Sequence, residues 1–217
     1  MCGRYNLRTN QRGLFDEFGL PAAPDFPPRY NIAPTQNVPI IRADEGMQEW
    51  AIVRWGLVPS WTKELKGPPL INARADTVAT KPSFRAAFKK RRCLVPADGY
   101  YEWQATSGTK QPFLIHMADD KPFAFAGLWE SWHGGQATLE SCAIITTDAN
   151  ELTRTIHDRM PVILAPKDWS AWLAPATEFT ILQELLRPFP SERMGTVAIR
   201  SLVNNPKNDG PECVQPV

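Results

Sequence analysis

The sequence predicts an α+β fold with a mainly antiparallel, barrel-like β core and short peripheral helices. Three observations predict it. Short β-rich runs recur along the chain, with Gly, Asp and Pro between them. Helical patterns are brief and interspersed, so βαβ alternation is rare. Pro is abundant, 21 of 217 residues, which implies much irregular but well-determined loop. No internal repeat and no linker long enough to separate domains is visible, so one domain over residues 1–217 is expected.

Leu14, Phe15 and Phe18 mark a short helix, with Thr9 or Asn10 as its cap and Gly19 as its stop. Residues 21–34 form a proline-rich loop. Residues 38–42 and 48–55 are β-rich and flank Asp44-Glu45-Gly46, which reads as a hairpin. Trp55-Gly56-Leu57-Val58-Pro59-Ser60-Trp61 leaves its second strand, and a basic stretch follows over 63–69. Residues 70–76 alternate apolar and polar side chains. Residues 83–90 are helical, with Phe84, Ala87 and Phe88 on one face. Short strands are expected at 93–95, 100–104, 113–116, 124–129 and 139–147, with turns at Ser107-Gly108, Asp119-Asp120 and Gly134-Gly135. A weak helix at 150–156 precedes a strand at 162–164. Helices at 167–173 and 179–186 and a last strand at 196–200 complete the chain.

Composition narrows the function. The chain has 24 basic and 23 acidic residues, a net charge of +1, so affinity for a polyanion must come from clustering. Four cysteines without CxxC spacing and only three histidines argue against a metal site. No cofactor is expected. The N-terminus has no apolar run, so no signal peptide is expected, and no apolar stretch is long enough to span a membrane. A cytoplasmic protein with reduced thiols follows.

The chemistry centres on Met1-Cys2-Gly3-Arg4. Removal of Met1 would leave Cys2 with an α-amine and a thiol on adjacent carbons. Such a 1,2-aminothiol condenses with an aldehyde to a Schiff base, and the thiol closes onto it as a thiazolidine. The second step is intramolecular and gains a large effective molarity. The amine and thiol titrate near about 7.7–8.0 and 8.5 in model peptides, so neighbours must tune them. The competing reading of Cys2 is a chance residue on a frayed terminus.

Three further segments place polar residues among apolar ones. In Asp98-Gly99-Tyr100-Tyr101-Glu102-Trp103, aromatic neighbours would raise the pKa of Glu102 and suit it to act as a general acid. An exposed carboxylate on an edge strand is the alternative. In Ile156-His157-Asp158-Arg159-Met160-Pro161, His157 could exchange protons near neutral pH, or be satisfied by a backbone carbonyl. In residues 68–74, Asn72 and Arg74 share a strand face and could orient a sugar phosphate. Aromatic and basic residues also interleave: Arg54, Trp55, Trp61, Lys63, Lys66, Arg74, Arg85, 89–92 and Trp103. Stacking faces with nearby cations suit single-stranded nucleic acid, unless these tryptophans are core and the basic run is a solvated helix end.

Together the segments Met-Cys-Gly-Arg (1–4), Arg-Tyr-Asn-Ile-Ala-Pro (29–34), Trp-Gly-Leu-Val-Pro (55–59), Leu-Ile-Asn-Ala-Arg-Ala-Asp (70–76), Asp-Gly-Tyr-Tyr-Glu-Trp (98–103), Ile-His-Asp-Arg-Met-Pro (156–161) and Val-Asn-Asn-Pro-Lys-Asn-Asp-Gly (203–210) resemble the SOS-response-associated peptidase (SRAP) family of abasic-site shielding proteins. The resemblance implies an α+β fold around a barrel-like core, with Cys2 at the floor of a positively charged groove. It implies a covalent thiazolidine between Cys2 and the ring-opened aldehyde of an abasic site in single-stranded DNA. By motif, Cys2 is the nucleophile, Glu102 the acid/base group, and His157 the assistant in sugar ring opening. Asn72 positions the sugar and the N-terminus. Arg4 and Arg74 would bind phosphates, and Pro34, Trp61 and Trp103 would contact flanking bases or groove walls. The older family name implies a peptidase that releases its own Met1, a hydrolase or lyase type of activity. A monomer that joins the nucleoid when DNA is damaged is expected. One departure is Thr62 after Trp61, where family members often carry a second aromatic residue, followed here by a longer basic insert.

Two other classes fit parts of the chain. An N-terminal-nucleophile amidohydrolase or glutamine amidotransferase also begins Met-Cys-Gly, but needs a four-layer αββα core. A non-catalytic DNA-damage binding module would form no covalent species.

Overall fold

The computed structural model describes residues 2–217 except Ala22, Glu45, Thr106, Ser107, Thr109, Gly135 and Gln136. In chain order its strands are β1 (Tyr5–Leu7), β2 (Arg29–Ile32), β3 (Asn37–Asp44), β4 (Met47–Trp55), β5 (Asn72–Arg74), β6 (Arg92–Ala97) and β7 (Gly99–Ala105), then β8 (Lys110–Met117), β9 (Phe123–Gly134), β10 (Ala137–Asp148), β11 (Arg159–Pro161), β12 (Ile163–Leu164) and β13 (Met194–Ala198). Helices α1 (Gln11–Phe18), α2 (Arg85–Lys90), α3 (Trp169–Leu173) and α4 (Phe179–Glu184) are short. The α+β, barrel-centred reading holds.

Five strands close on themselves. β4 pairs with β3, β3 with β6, β6 with β9 and β9 with β10, all antiparallel. A parallel pairing of Ser141 and Cys142 with Arg54 and Trp55 joins β10 to β4 and completes the ring. A second, antiparallel sheet has the order β13-β8-β7-β1-β2.

Alternation along the barrel strands explains their nearly continuous apolar runs. Val38, Ile40, Cys93, Val95, Phe125, Cys142 and Ile144 pack with Tyr5, Leu7, Tyr100 and Ile115 of the second sheet. Their neighbours Ile41, Leu94, Ala124, Ala126, Ala143 and Ile145 pack with Phe88, Trp172 and Leu182 of the helices. Strands covered on both faces need no polar side. Four-layer αββα packing, which the amidohydrolase reading needs, does not occur among the described residues.

Local signals account for the helix ends. Asn10 caps α1 by accepting from Gly13 N at 3.0 Å, and Gly19 stops it at φ 65° with its N–H on Phe15 O. Gly56, at φ 133°, turns the chain out of β4 where an added Cβ would meet Pro69 Cβ at 2.8 Å.

Several expectations need correction. Residues 29–32 are a strand, not part of a loop, and β1 has no counterpart in the pattern reading. Both are short and are held by distant groups. Asp209 accepts from Arg29 Nε and, at 2.7 Å each, from the N–H groups of Tyr30 and Asn31. The weak helix at 150–156 is a single 3₁₀ turn, Thr153–Thr155, capped by Asn150 Oδ1 at 2.9 Å from Thr153 N. β11 likewise has no counterpart in the pattern reading, and the strand expected at 162–164 is β12. Helix α2 starts at Arg85 rather than 83, and α4 ends at Glu184 rather than 186. The turns expected at Ser107, Gly135 and Glu45 fall wholly or partly outside the described residues.

Candidate active site

The C-terminal half of β10 organises the site. Beyond the barrel it takes up β5 on one side, with Ile144 opposite Asn72 and Thr146 opposite Arg74. It takes up β11 through Thr146, Thr147 and Asp148, paired with Pro161, Met160 and Arg159. Arg159 pins that junction, donating to Thr146 O at 2.7 Å and to Asp148 Oδ1 at 3.0 Å. The segments carrying Asn72 and His157 are thereby fixed to one rail.

Cys2 is fully buried in the cluster shared by the barrel and the second sheet. Asn72 Nδ2 donates to its carbonyl at 2.8 Å. Burial pushes the Cys2 thiol well above its ordinary range, and the nearby Glu102 carboxylate pushes it further. At neutral pH the sulfur holds its proton, so a reaction there needs a base.

Glu102 lies mid-strand on β7, flanked in sequence by Tyr101 and Trp103 and only 5% exposed. Burial raises its pKa to about 7, with Asp158 adding to the rise. That is the direction aromatic neighbours imply, and it excludes the reading of an exposed edge carboxylate. A carboxyl with this pKa can both give and take a proton at neutral pH.

The turn carrying His157 docks on the same strand. Gln104, two residues beyond Glu102 and on its face, donates to Thr155 O at 2.7 Å. Asn150 anchors the turn from below, bonding Thr153 and, at 2.8 Å, Phe189 O. His157 Nδ1 lies 3.0 Å from Arg159 N and 3.3 Å from Arg159 O, so it accepts from the first or donates to the second according to the tautomer. Burial lowers the His157 pKa, while Asp158 Oδ1, 3.0 Å from Nδ1, can hold the protonated form.

The other expected residues are placed less uniformly. Arg74 is exposed on β5 and paired with Asp76, Nη2 to Oδ2 at 2.6 Å. The region beside Asn72 and His157 therefore mixes Arg74 and Arg159 with Asp76, Asp148 and Asp158, rather than presenting cations alone. Arg4 is half-buried, with Nη1 on Asn31 Oδ1 and Val203 O, both at 2.8 Å. Its guanidinium lies 6.0 Å from the Trp103 ring centre, and Trp103 Nε1 donates to Asn204 Oδ1 at 2.7 Å. Trp103 and Arg4 thus belong to the face of β7 opposite Glu102, packed on the C-terminal segment. Pro34 is half-buried at the turn after β2, beside Thr35, whose φ of 73° lies in the left-handed region that a β-branched residue rarely enters. Trp61 is 64% exposed and lines a cleft with Arg54, Leu65, Lys66 and Pro69.

Part of the basic and aromatic set is structural. Trp55 is core, its Nε1 donating to Ile71 O at 3.0 Å. Arg92 is buried and caps helix ends through the carbonyls of Phe88, Lys89, Trp172 and Ala174. Arg91 pairs with Glu130 at 2.7 Å. Pattern reading also missed the role of residues 203–210. Their carbonyls at Val203, Asn205 and Asn208 receive Asn31 Nδ2, which ties the C-terminal segment to β2. Among the described residues no cluster could hold a metal ion, and no helix is long and apolar enough to cross a membrane.

Comparison with known proteins places this arrangement. The profile of a family described as SOS response associated peptidase (SRAP) matches residues 1–206. The abasic site processing protein YoqW of Bacillus subtilis is 42% identical, over 99% of both chains. The abasic site processing protein HMCES of Pongo abelii is 36% identical, over 100% of this chain and 76% of its own. YedK of Escherichia coli, of the same description, is 31% identical over the whole of both. A crystal structure of a protein from Bacteroides thetaiotaomicron superposes with a TM-score of 0.89 at 29% identity, covering 100% of each chain.

Proposed function

The chain belongs to the SOS response associated peptidase family, and we propose that it processes abasic sites in single-stranded DNA by capturing them covalently on Cys2. The names of its relatives support abasic sites as the target. The single observation that carries the covalent step is the setting of Cys2: a buried thiol beside a carboxyl whose pKa stands at about 7.

The steps follow from that setting. Release of Met1, by an aminopeptidase or by the chain itself, exposes the Cys2 amine. In the closed abasic sugar the bond from C1′ to the ring oxygen breaks. His157 moves a proton from the C1′ hydroxyl while the ring oxygen gains one, leaving an aldehyde and a C4′ hydroxyl. The amine nitrogen adds to C1′, Glu102 protonates the departing hydroxyl, and water leaves. The thiol sulfur then adds to the imine carbon and its proton passes to the nitrogen. Aldehyde and aminothiol thus become thiazolidine and water. An aldehyde held this way no longer activates β-elimination, so the strand stays whole. Asn72 fixes the Cys2 carbonyl and with it the direction of both nucleophiles. Arg74, once it exchanges Asp76 for a phosphate, anchors the strand, and Trp61 offers a stacking face.

Incubation with an abasic oligonucleotide and a denaturing gel test this. The protein freed of Met1 should give a heat-stable adduct that Cys2→Ala does not. An adduct of equal yield with Cys2→Ala contradicts the proposal. Hydrolysis of glutamine in the absence of DNA would favour the amidohydrolase reading instead.

A further inference from the structure

Three buried polar atoms of residues packed with or bonded to Cys2 have no hydrogen-bond partner among the described residues: the hydroxyls of Tyr5 and Tyr100, and Oδ1 of Asn72. Burying a hydroxyl or amide oxygen without a partner costs free energy that a phenylalanine or a leucine would not. The two tyrosines sit directly opposite each other on β1 and β7. Both lie on one face of the sheet and both pack edge-on against Phe125, Tyr5 at 5.8 Å and Tyr100 at 6.0 Å. Tyr5 is also packed edge-on against Trp55 of the barrel at 5.3 Å, and Cys142 and then Cys2 are the ionisable groups that act on it most. Tyr100 shares a strand face with Glu102, and the groups that act on it are Cys2 and Glu102. Tyr100 is thus the one of the two that shares both strand and face with Glu102, and Asn72, bonded to the Cys2 carbonyl, brings its Oδ1 acceptor to the same residue.

We propose that Tyr100 is a further catalytic residue, whose hydroxyl, together with Asn72 Oδ1, holds the C4′ hydroxyl that appears when the abasic sugar opens. The inference rests on the proposed capture of abasic sites. The two atoms are complementary to a hydroxyl: the phenol O–H donates to its oxygen, and the amide oxygen accepts its proton. Held so, the C4′ oxygen is kept from closing back onto C1′ before the Cys2 amine attacks. Neither group changes charge in this role. A Tyr100 phenol that burial keeps protonated is suited to it.

Tyr100→Phe tests the assignment with three readouts. Crosslinking to an abasic oligonucleotide should slow by about tenfold, a factor that one lost hydrogen bond in the transition state explains. Binding to an oligonucleotide carrying a closed tetrahydrofuran analogue, which has no C4′ hydroxyl, should match the parent. The midpoint of thermal unfolding should be unchanged or higher, because a buried unpaired hydroxyl is removed. Tyr5→Phe should crosslink at the parental rate. The proposal is overturned if Tyr100→Phe crosslinks as fast as the parent, if it weakens tetrahydrofuran binding by the same factor, or if Tyr5→Phe is slowed equally. If the parent itself forms no crosslink, the capture reading fails first, and the two failures are distinct.

Discussion

Glu102 sets the pH behaviour of the site. Its folded pKa of about 7 lies above the 4.5 of an unperturbed carboxyl because burial disfavours the charged form. Between those values the folded protein holds a proton that the unfolded chain has released. Stability should therefore fall as pH rises from 4.5 to 7 and level off above. Denaturant unfolding across this range should show that slope in the parent and lose it in Glu102→Gln. The same variant should crosslink more slowly, and the limb of its pH–rate profile centred near 7 should vanish. A parental profile in Glu102→Gln would acquit the residue. The aromatic neighbours of Glu102 were legible in the sequence, and so was the direction of its pKa. The orphan hydroxyl of Tyr100 was not, because a missing hydrogen bond depends on what the rest of the chain places opposite it.

At the scale of elements, strands with unbroken apolar runs were easy to read and strands held from afar were not. Residues 142–145 announce themselves because both faces of β10 are covered. β2 is four residues flanked by prolines, and its partner groups come from Asp209 and the carbonyls of 203–208. No local window contains that information. Asp209 accepts from three donors on β2, one of them charged. Asp209→Ala should cost about 2–4 kcal/mol in urea unfolding, since it strands an arginine and two amides. Faster hydrogen exchange at Tyr30 and Asn31 should accompany it. An unchanged unfolding midpoint would mean that the C-terminal segment does not brace β2. The 3₁₀ turn at Thr153–Thr155 teaches the same lesson: Asn150 bonds Thr153 and Phe189 O, and Gln104 of β7 bonds Thr155 O, so a pattern that resembled a weak helix is a turn fixed from two sides just before His157.

Across the whole molecule, 24 basic residues against 23 acidic ones leave no general attraction for DNA. Several arginines are already committed: Arg92 to helix carbonyls, Arg91 to Glu130, Arg29 to Asp209. Binding to single strands should therefore involve few phosphates. A slope of log affinity against log salt of about −1.5 to −3 corresponds to two to four contacts. Fluorescence anisotropy with an intact oligonucleotide measures it, and a slope near −7 would point to a broad cationic surface instead. Arg74→Ala should reduce the slope by roughly one contact and weaken binding to all sequences alike. The account rests most heavily on the covalent capture at Cys2, and intact-mass spectrometry of the protein mixed with an abasic oligonucleotide tests it most directly. The predicted species has the mass of the chain without Met1 plus the oligonucleotide, less one water. A species that retains Met1, or no covalent species at all from protein shown to begin at Cys2, would contradict it.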